Sequence, residues 1–287
     1  MPTRMIGNMR HTRTTGGTAS HEVRPDQLAL DCGVLRHAAT PGTYRHVRYP
    51  PCESLKQWVR HFWVESWDLC DDSSQLREVL PHPCVHLVLA RGRSRVYGVQ
   101  LKRMARVLKG RDCIVGVKFR PGVFYPFLGR PVSSLANGSV PATDLLRGAE
   151  AAERTAQECC DDQSMVQAAS RLLLANLPPI DSRMQLAGAL VEEIAHDRQV
   201  RRVEHLVARH SLSERTLQRL FSRYVGASAL WVIKRYRIYE ALEHLAGTRR
   251  VEHFAALAQD LGYYDQAHFN NEFKRLVGHS PSAYLKI

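Results

Sequence analysis

Apolar positions change their period along this chain. Cys84-Val85-His86-Leu87-Val88-Leu89-Ala90 is a near-continuous apolar run of strand length, and Cys113-Ile114-Val115-Gly116-Val117-Lys118-Phe119 is a second. Turn-like breaks at Arg91-Gly92-Arg93-Ser94, Lys109-Gly110-Arg111-Asp112 and Arg120-Pro121-Gly122 bound them, with Val96-Tyr97-Gly98-Val99 between. Short β-branched runs divided by Gly and Asp predict an antiparallel sheet or small barrel. Between Glu53 and Trp67, the positions of Leu55, Trp58, Val59, Phe62 and Trp63 predict a helix turn that opens into a strand. From about Ala149 the composition turns to Ala, Glu, Gln and Leu as far as Leu177, where Pro178-Pro179 must break a helix. A further helix from Ser182 sets Met184, Ala187, Leu190, Val191 and Ile194 on one side, a stripe that suits either its own domain or a dimer seam.

Past Val203 the helical period appears twice. Leu217-Gln218-Arg219-Leu220-Phe221 aligns with Phe269-Asn270-Asn271-Glu272-Phe273 at an offset of 52 residues. Each segment follows a short apolar helix, Val203 to Arg209 or His253 to Leu261, and a tight break, His210-Ser211-Leu212 or Gly262-Tyr263-Tyr264. Ser213 and Asp265 stand at the matching helix starts, where their side chains can accept free backbone N–H groups. Helix, turn and capped helix, repeated, predicts two helix-turn-helix units. In the first, Leu217, Leu220, Phe221 and Tyr224 point inward, leaving Arg215, Gln218, Arg219 and Ser222 as the opposite stripe. In the second, Phe269, Phe273 and Leu276 point inward, while Ala267, Asn270, Asn271 and Lys274 point outward. Arg, Gln and Asn form paired hydrogen bonds with guanine or adenine edges, so these stripes suit base reading; the other reading is an ordinary solvated face. Between the units, Ser228 to Ala246 has no internal Pro or Gly and predicts a rod of roughly 28 Å, close to the ~34 Å between successive major-groove faces. Lys234, Arg235 and Arg237 on that rod are candidates for phosphate contacts, and Trp231, Ile233, Ile238 and Leu242 for core.

Charge follows the same division. The chain has 287 residues and a net charge of +12, with 44% hydrophobic and 24% charged residues, which excludes wholesale disorder. Residues 197–287 hold 15 Lys/Arg against 9 Asp/Glu, whereas residues 51–195 hold 18 against 16. A basic C-terminal module favours an anionic partner, above all double-stranded DNA. No apolar run approaches the roughly 18–20 residues that cross a bilayer, and no hydrophobic stretch follows the basic N-terminus as a secretory signal requires. The seven cysteines (Cys32, Cys52, Cys70, Cys84, Cys113, Cys159 and Cys160) form no C-x-x-C pair, which reads as reduced thiols in a cytoplasmic protein. The whole predicts an α+β chain with a flexible leader at 1–27, a β-rich domain at 28–148, a helical connector at 149–195 and an all-α domain at 196–287.

The C-terminal region resembles the DNA-binding domain of AraC/XylS-type bacterial transcription regulators. The residues that carry the resemblance are Ser213-Glu214-Arg215-Thr216-Leu217-Gln218-Arg219-Leu220-Phe221, Gly226, Arg237, Ala241 and Leu245. The second half adds Leu261-Gly262-Tyr263, His268-Phe269, Phe273-Lys274, Gly278 and Ser280-Pro281-Ser282-Ala283-Tyr284. The resemblance implies that Arg215, Gln218 and Arg219 read a first major groove, while Gln266, Ala267, Asn270 and Asn271 face a second. It also implies RNA polymerase as a partner, a small-molecule effector, a homodimer and no enzymatic activity. Two positions depart from the family's pattern. Asn271 stands where an arginine is usual, which weakens second-groove binding or turns it towards adenine, and Ala229 replaces a common proline at the start of the rod.

Leu80-Pro81-His82-Pro83-Cys84-Val85-His86, Ser94 to Val99 and Gly116 to Gly122 resemble an uncharacterised sensor-like domain found ahead of such modules, for which the family analogy implies a cupin-like barrel. His82, Cys84 and His86 alternate, so one strand face could present all three, and imidazole with thiolate suits zinc or copper. A lone strand histidine is also an ordinary structural residue, and no cofactor is expected. Trp58, Phe62, Trp63 and Trp67 suit either core packing or an aromatic effector pocket. The vicinal Cys159-Cys160 suits either an oxidant sensor or buried thiols. A metal-dependent enzyme carrying a DNA-targeting C-terminal module is the rival reading, though the chain has no H-E-x-x-H, G-x-S-x-G or phosphate-cradling Gly-Lys loop.

Overall fold

A computed structural model of the chain describes residues 42–69, 74–159, 161–246 and 254–286. The predicted leader, with Cys32, Cys70 and Cys160, lies outside the described residues. Among the described residues of the N-terminal half eight strands form: β1 (Gly42–Tyr49), β2 (Val59–Leu69), β3 (Ser74–Val79), β4 (His86–Leu89), β5 (Arg95–Tyr97), β6 (Met104–Lys109), β7 (Arg111–Phe119) and β8 (Ser139–Pro141). Six of them make one antiparallel sheet in the order β1-β2-β7-β4-β5-β8, and β3 pairs with β6 as a separate ribbon. The helix turn expected ahead of β2 is present at Glu53–Leu55. Among the described residues the cupin-like barrel is not formed: β1 and β8 are the two edges of an open sheet, and the ribbon is not hydrogen-bonded to it.

Period-two alternation gives the sheet two different faces. Phe62 and Val64 of β2, Val115 and Val117 of β7, Leu87 and Leu89 of β4 and Val96 of β5 are fully buried on one side. Helices cover that side. After the short α1 (Tyr125–Leu128) come α2 (Ala149–Glu158), α3 (Asp162–Leu174) and α4 (Ser182–His196). The single helix expected between Ala149 and Leu177 is thus two, because Asp161 starts a new one by accepting the Ser164 N–H at 2.9 Å. Asp181 caps α4 in the same way, at 2.8 Å to the Met184 N–H. Met184, Ala187, Leu190, Val191 and Ile194 are all buried inside the chain's own core, so this stripe packs against its own domain.

The C-terminal half is helical: α5 (Val203–His210), α6 (Glu214–Leu220), α7 (Ala229–Ala246), α8 (Phe254–Asp260), α9 (Gln266–Val277) and α10 (Pro281–Tyr284). A wide π turn, Phe221–Val225, extends α6 and ends at Gly226. That glycine sits at φ 90°, and Val132 of the β half occupies the space that a Cβ would need. One hydrophobic cluster runs without a break from Phe62 and Val117 of the sheet, through α3 and α4, to Leu217, Phe221 and Val232 of the first helical unit. A second cluster holds the other unit together around Phe269 and Phe273, and Leu80 from the β half belongs to it. Further ties join the halves: Trp231 Nε1 donates to the Leu101 carbonyl at 3.3 Å, and Arg103 donates to that of Val277 at 3.2 Å. No described helix is long and apolar enough to cross a membrane.

Candidate nucleic-acid interface and sheet cavity

Two copies of one local design build the interface. In the first, α5 ends at Ser211, which takes a left-handed φ of 50°. The Ser213 hydroxyl then accepts the Thr216 N–H at 3.2 Å and starts α6. In the second, Gly262 provides the left-handed residue at φ 73°, and the Asp265 carboxylate accepts the His268 N–H at 2.7 Å to start α9. The short polar caps satisfy N–H groups that a helix start otherwise leaves open, as the sequence predicts. Leu217, Leu220, Phe221 and Tyr224 are buried, as are Phe269, Phe273 and Leu276. On the opposite sides Arg215, Gln218, Arg219 and Ser222 are exposed, as are Gln266, Ala267, Asn271 and Lys274, with Asn270 half-buried. Ser228 caps α7 through the Trp231 N–H at 3.1 Å, and the 18-residue α7 spans about 27 Å.

The first stripe also borders the β half. The Ser222 hydroxyl lies 2.9 Å from that of Ser133, and Arg219 and Ser222 share a hollow with Tyr125, Pro131 and Arg223. The Arg223 guanidinium covers the Tyr125 ring, 4.3 Å from its centre, and donates to its hydroxyl.

The basic residues of the rod do not share one role. Arg235 is completely buried: its Nε donates to the Pro81 carbonyl, its guanidinium lies 4.0 Å from the centre of the Tyr239 ring, and burial pushes its pKa down. The expected phosphate contact is therefore wrong for Arg235. Its spacing carried the signal, since Arg235, Ile238, Tyr239 and Leu242 stand at i, i+3, i+4 and i+7 and share the buried face. Lys234 is partly exposed, and its ammonium lies 3.6 Å from the buried Glu272 carboxylate of α9, tying the rod to the second unit. Arg237 donates to the carbonyls of Arg201 and Gly262, which braces the turn before α9. Replacing Arg235 by Met is expected to leave the slope of DNA affinity against salt unchanged, where loss of a phosphate contact lowers it by about 1. Thermal stability should hold or rise, because the variant removes a buried charge. Affinities measured across a salt series, with a melting curve, check both.

The other face of the sheet lines a cavity of about 360 Å³, roofed by the β3–β6 ribbon and the segment Leu80–Cys84. A row crosses its floor through four strands: Tyr97 pairs in register with His86, His86 with Lys118, and Lys118 with His61. Lys118 is only 4% exposed. Burial, reinforced by the Lys118 charge, pushes the His86 pKa down to about 3 and takes those of His61 and His82 below the ordinary histidine value. At neutral pH these imidazoles are uncharged, each with one donor and one acceptor nitrogen. Gly116 lies directly under the Trp63 indole, where any Cβ would collide with the ring, so the indole can lie across the floor. Among the described lining residues five are cationic (Arg48, Arg77, Arg93, Arg106 and Lys118) and one, Glu65, is anionic. Burial raises the Glu65 pKa, but hydrogen bonds from His46 and Tyr44 and the nearby Arg106 outweigh it, so the carboxyl lies below its ordinary value.

His82, Cys84 and His86 do line this cavity together, as their alternation suggests, although His82 precedes β4. They do not make a metal centre: among the described residues no group of three His, Cys, Asp or Glu is placed to hold an ion. Burial raises the Cys84 pKa and keeps its thiol protonated, the form that binds metals poorly. The four aromatic candidates divide by sheet face. Trp58 and Phe62 pack in the core under the helices, Trp63 lines the cavity, and Trp67 is buried beside the ribbon with Leu108 and Ile114. Cys159 closes α2 and donates to the Thr155 carbonyl at 2.9 Å. Sequence reasoning missed Lys118, His61 and Arg48 as cavity residues. The signal for Lys118 was a single charge inside an apolar strand run.

Residues 47–141 match a family described as a domain of unknown function, DUF6597, and residues 206–287 match the helix-turn-helix domain family. Among curated proteins none matches the chain. Solved structures of ToxT from Vibrio cholerae overlap most of it at low similarity. The P21 crystal form is 11% identical, with 86% of this chain and 98% of that one covered and a TM-score of 0.34. The wild-type ToxT bound to an unsaturated fatty acid is 12% identical, with 88% and 97% covered and a TM-score of 0.33. Overlap this slight carries no argument about function. The match gives residues 206–287, the stretch that holds both capped units, a helix-turn-helix domain, and the residues quoted for that stretch resemble those of AraC/XylS-type regulators.

Proposed function

We propose that the protein lays α6 and α9 in adjacent major grooves of double-stranded DNA and reads sequence in both. One observation carries the reading: two independently capped helices, flanking a rod of about 27 Å, each expose an amide- or guanidinium-bearing stripe opposite a buried one. Arg215, Gln218 and Arg219 would meet base edges in the first groove, and Gln266, Ala267, Asn270 and Asn271 in the second, with Lys274 and Lys234 near phosphates. Ser222 stands at the edge of the first set. The protein would act by binding rather than by bond making, in the cytoplasm, as a regulator that touches RNA polymerase and pairs with a second copy of itself.

The β half would sense a small-molecule effector in its cavity. Ser133 against Ser222, Tyr125 against Arg223 and Val132 against Gly226 link that half to the end of the first reading helix, so a shift in the sheet has a short path to DNA. Selection of bound fragments from random DNA, followed by footprinting, tests the geometry. Two protected major-groove segments about one helical turn apart (~34 Å) are expected on the same side of the duplex. Protection of one segment alone overturns the two-groove arrangement.

A further inference from the structure

We propose that the hollow between the β half and the first reading helix holds a phosphate of the DNA backbone, gripped by Arg223 and the Ser222 hydroxyl, with Tyr125 as the positioning residue. The proposal rests on the reading that α6 lies in a major groove, and it adds a DNA contact that the β half sets up. The hollow measures about 360 Å³ and is lined by Tyr125, Pro131, Arg219, Ser222 and Arg223. Two guanidinium groups and two hydroxyls meet there, and no carboxylate is among these lining residues, a donor set that matches the oxygens of a phosphate. The place fits the same partner. Arg219 and Ser222 belong to the exposed stripe that faces the bases, so a hollow they line opens at the wall of the groove, where the sugar-phosphate chain runs. Arg219 is exposed and can reach a base edge, whereas Arg223 is half-buried and held within the hollow.

The β half fixes the plane of the gripping group. Arg223 follows Arg219 by four residues, inside the wide turn Phe221–Val225. Its guanidinium lies 4.3 Å from the centre of the Tyr125 ring and 5.7 Å from that of Tyr224, and one amino group donates to the Tyr125 hydroxyl. Neither tyrosine is an anion, so the two hold the guanidinium in place without cancelling its charge. A side chain already held has less rotamer freedom to lose when it meets a phosphate than an unrestrained arginine or lysine. Ser222 is fixed from the same side by the Ser133 hydroxyl, 2.9 Å away. A phosphate contact carries no sequence information, but it sets the register in which Arg219 meets its base. A shift of α1, which carries Tyr125, therefore reaches the DNA backbone through one side chain.

Interference by phosphate ethylation, with the full chain on the selected DNA site, tests the contact. One ethylated phosphate flanking the groove segment that Arg219→Ala assigns to α6 is expected to block binding, and to stop mattering in Arg223→Gln. That variant should lose about tenfold in affinity for every sequence alike, with the salt slope lower by about 1. Tyr125→Phe keeps the ring and removes the hydroxyl. It should cost about threefold, weaken the same interference signal, leave the salt slope unchanged and cost nothing further in the Arg223→Gln background. No interfering phosphate beside that segment, an Arg223→Gln loss confined to one base pair, or an unchanged Arg223→Gln salt slope each overturns the contact. Additive losses from the two substitutions overturn the positioning by Tyr125. Loss of inorganic-phosphate binding in Arg223→Gln, with DNA affinity unchanged, assigns the hollow to a free phosphate and overturns the backbone contact. Interference is also read on the unaltered protein, so a variant that fails to fold does not remove the test. Protection of one groove segment that keeps the Arg223-dependent phosphate sinks the two-groove arrangement and leaves this contact standing. Two protected segments without such a phosphate do the reverse.

Discussion

Replacing Phe221 by Ala is expected to lower stability by about 3–5 kcal/mol and the melting temperature by on the order of 10 °C. The ring is fully buried at the end of the first reading helix, where the turn Phe221–Val225 packs on residues 132–135 and on α4. Removing it deletes apolar contacts and leaves a void that close-packed neighbours fill only in part. The effect should reach beyond the helical unit, because Phe221 belongs to the same unbroken cluster as Phe62, Val117 and Leu87 of the sheet. Three of the four tryptophans, Trp58, Trp63 and Trp67, lie in the β half and the fourth, Trp231, on the rod, so in a Trp231→Phe background fluorescence reports the sheet while helical ellipticity is dominated by the rest. Coincident transitions shifted together are expected. A Phe221→Ala protein whose helices melt early while the tryptophan signal holds its midpoint contradicts the shared core. Phe273→Ala makes the contrast, since Phe273 sits in the separate cluster of the second unit.

Arg219→Ala is expected to cost about 1–3 kcal/mol, roughly tenfold to a hundredfold in affinity, at one base pair of the selected site. Arg219 is exposed in the last turn of α6, four residues after Arg215 on the same stripe. A guanidinium aimed at guanine O6 and N7 distinguishes that base from the other three, so the variant should tolerate substitutions there that the parent rejects. Binding measured against every single-base change in the selected site separates base reading from phosphate contact. A uniform loss across all sequences, with a salt slope lower by about 1, reassigns the side chain to the backbone. The fold itself should be untouched, because nothing in the buried clusters rests on this residue.

The C-terminal half was readable because its information is local. A Ser or Asp at a helix start, a residue with φ above zero in the turn and an apolar i, i+3, i+4, i+7 stripe act over a few residues. Ser213 and Asp265 are observed at the helix starts and Gly262 in the left-handed turn. The same local reasoning failed at Arg235. A charged residue beside Lys234 and Arg237 suggested a solvent face, yet adjacent helix positions lie about 100° apart and this one points at Pro81. β1, β3, β6 and β8 carried no clear apolar run. In the ribbon, Arg77 and Arg106 face inward to the cavity while Leu76 and Val107 are exposed, which reverses the usual pattern.

The two capped helix-turn-helix units, the rod between them, the apolar strands at β4 and β7 and the helix that starts at Ser182 are all legible in the order of residues. Each follows from backbone hydrogen bonding and side-chain period within a single segment. The open edges of the described sheet, the turning of Trp63 to a cavity and of Phe62 to the helices, and the single row of His61, Lys118 and His86 arise in the folded chain. Those facts depend on which strands pair and in what register, and residues 61, 86 and 118 meet only when β2, β7 and β4 lie side by side. Long-range pairing is chosen by the burial free energy of the whole sheet, a quantity that no single stretch of the chain contains.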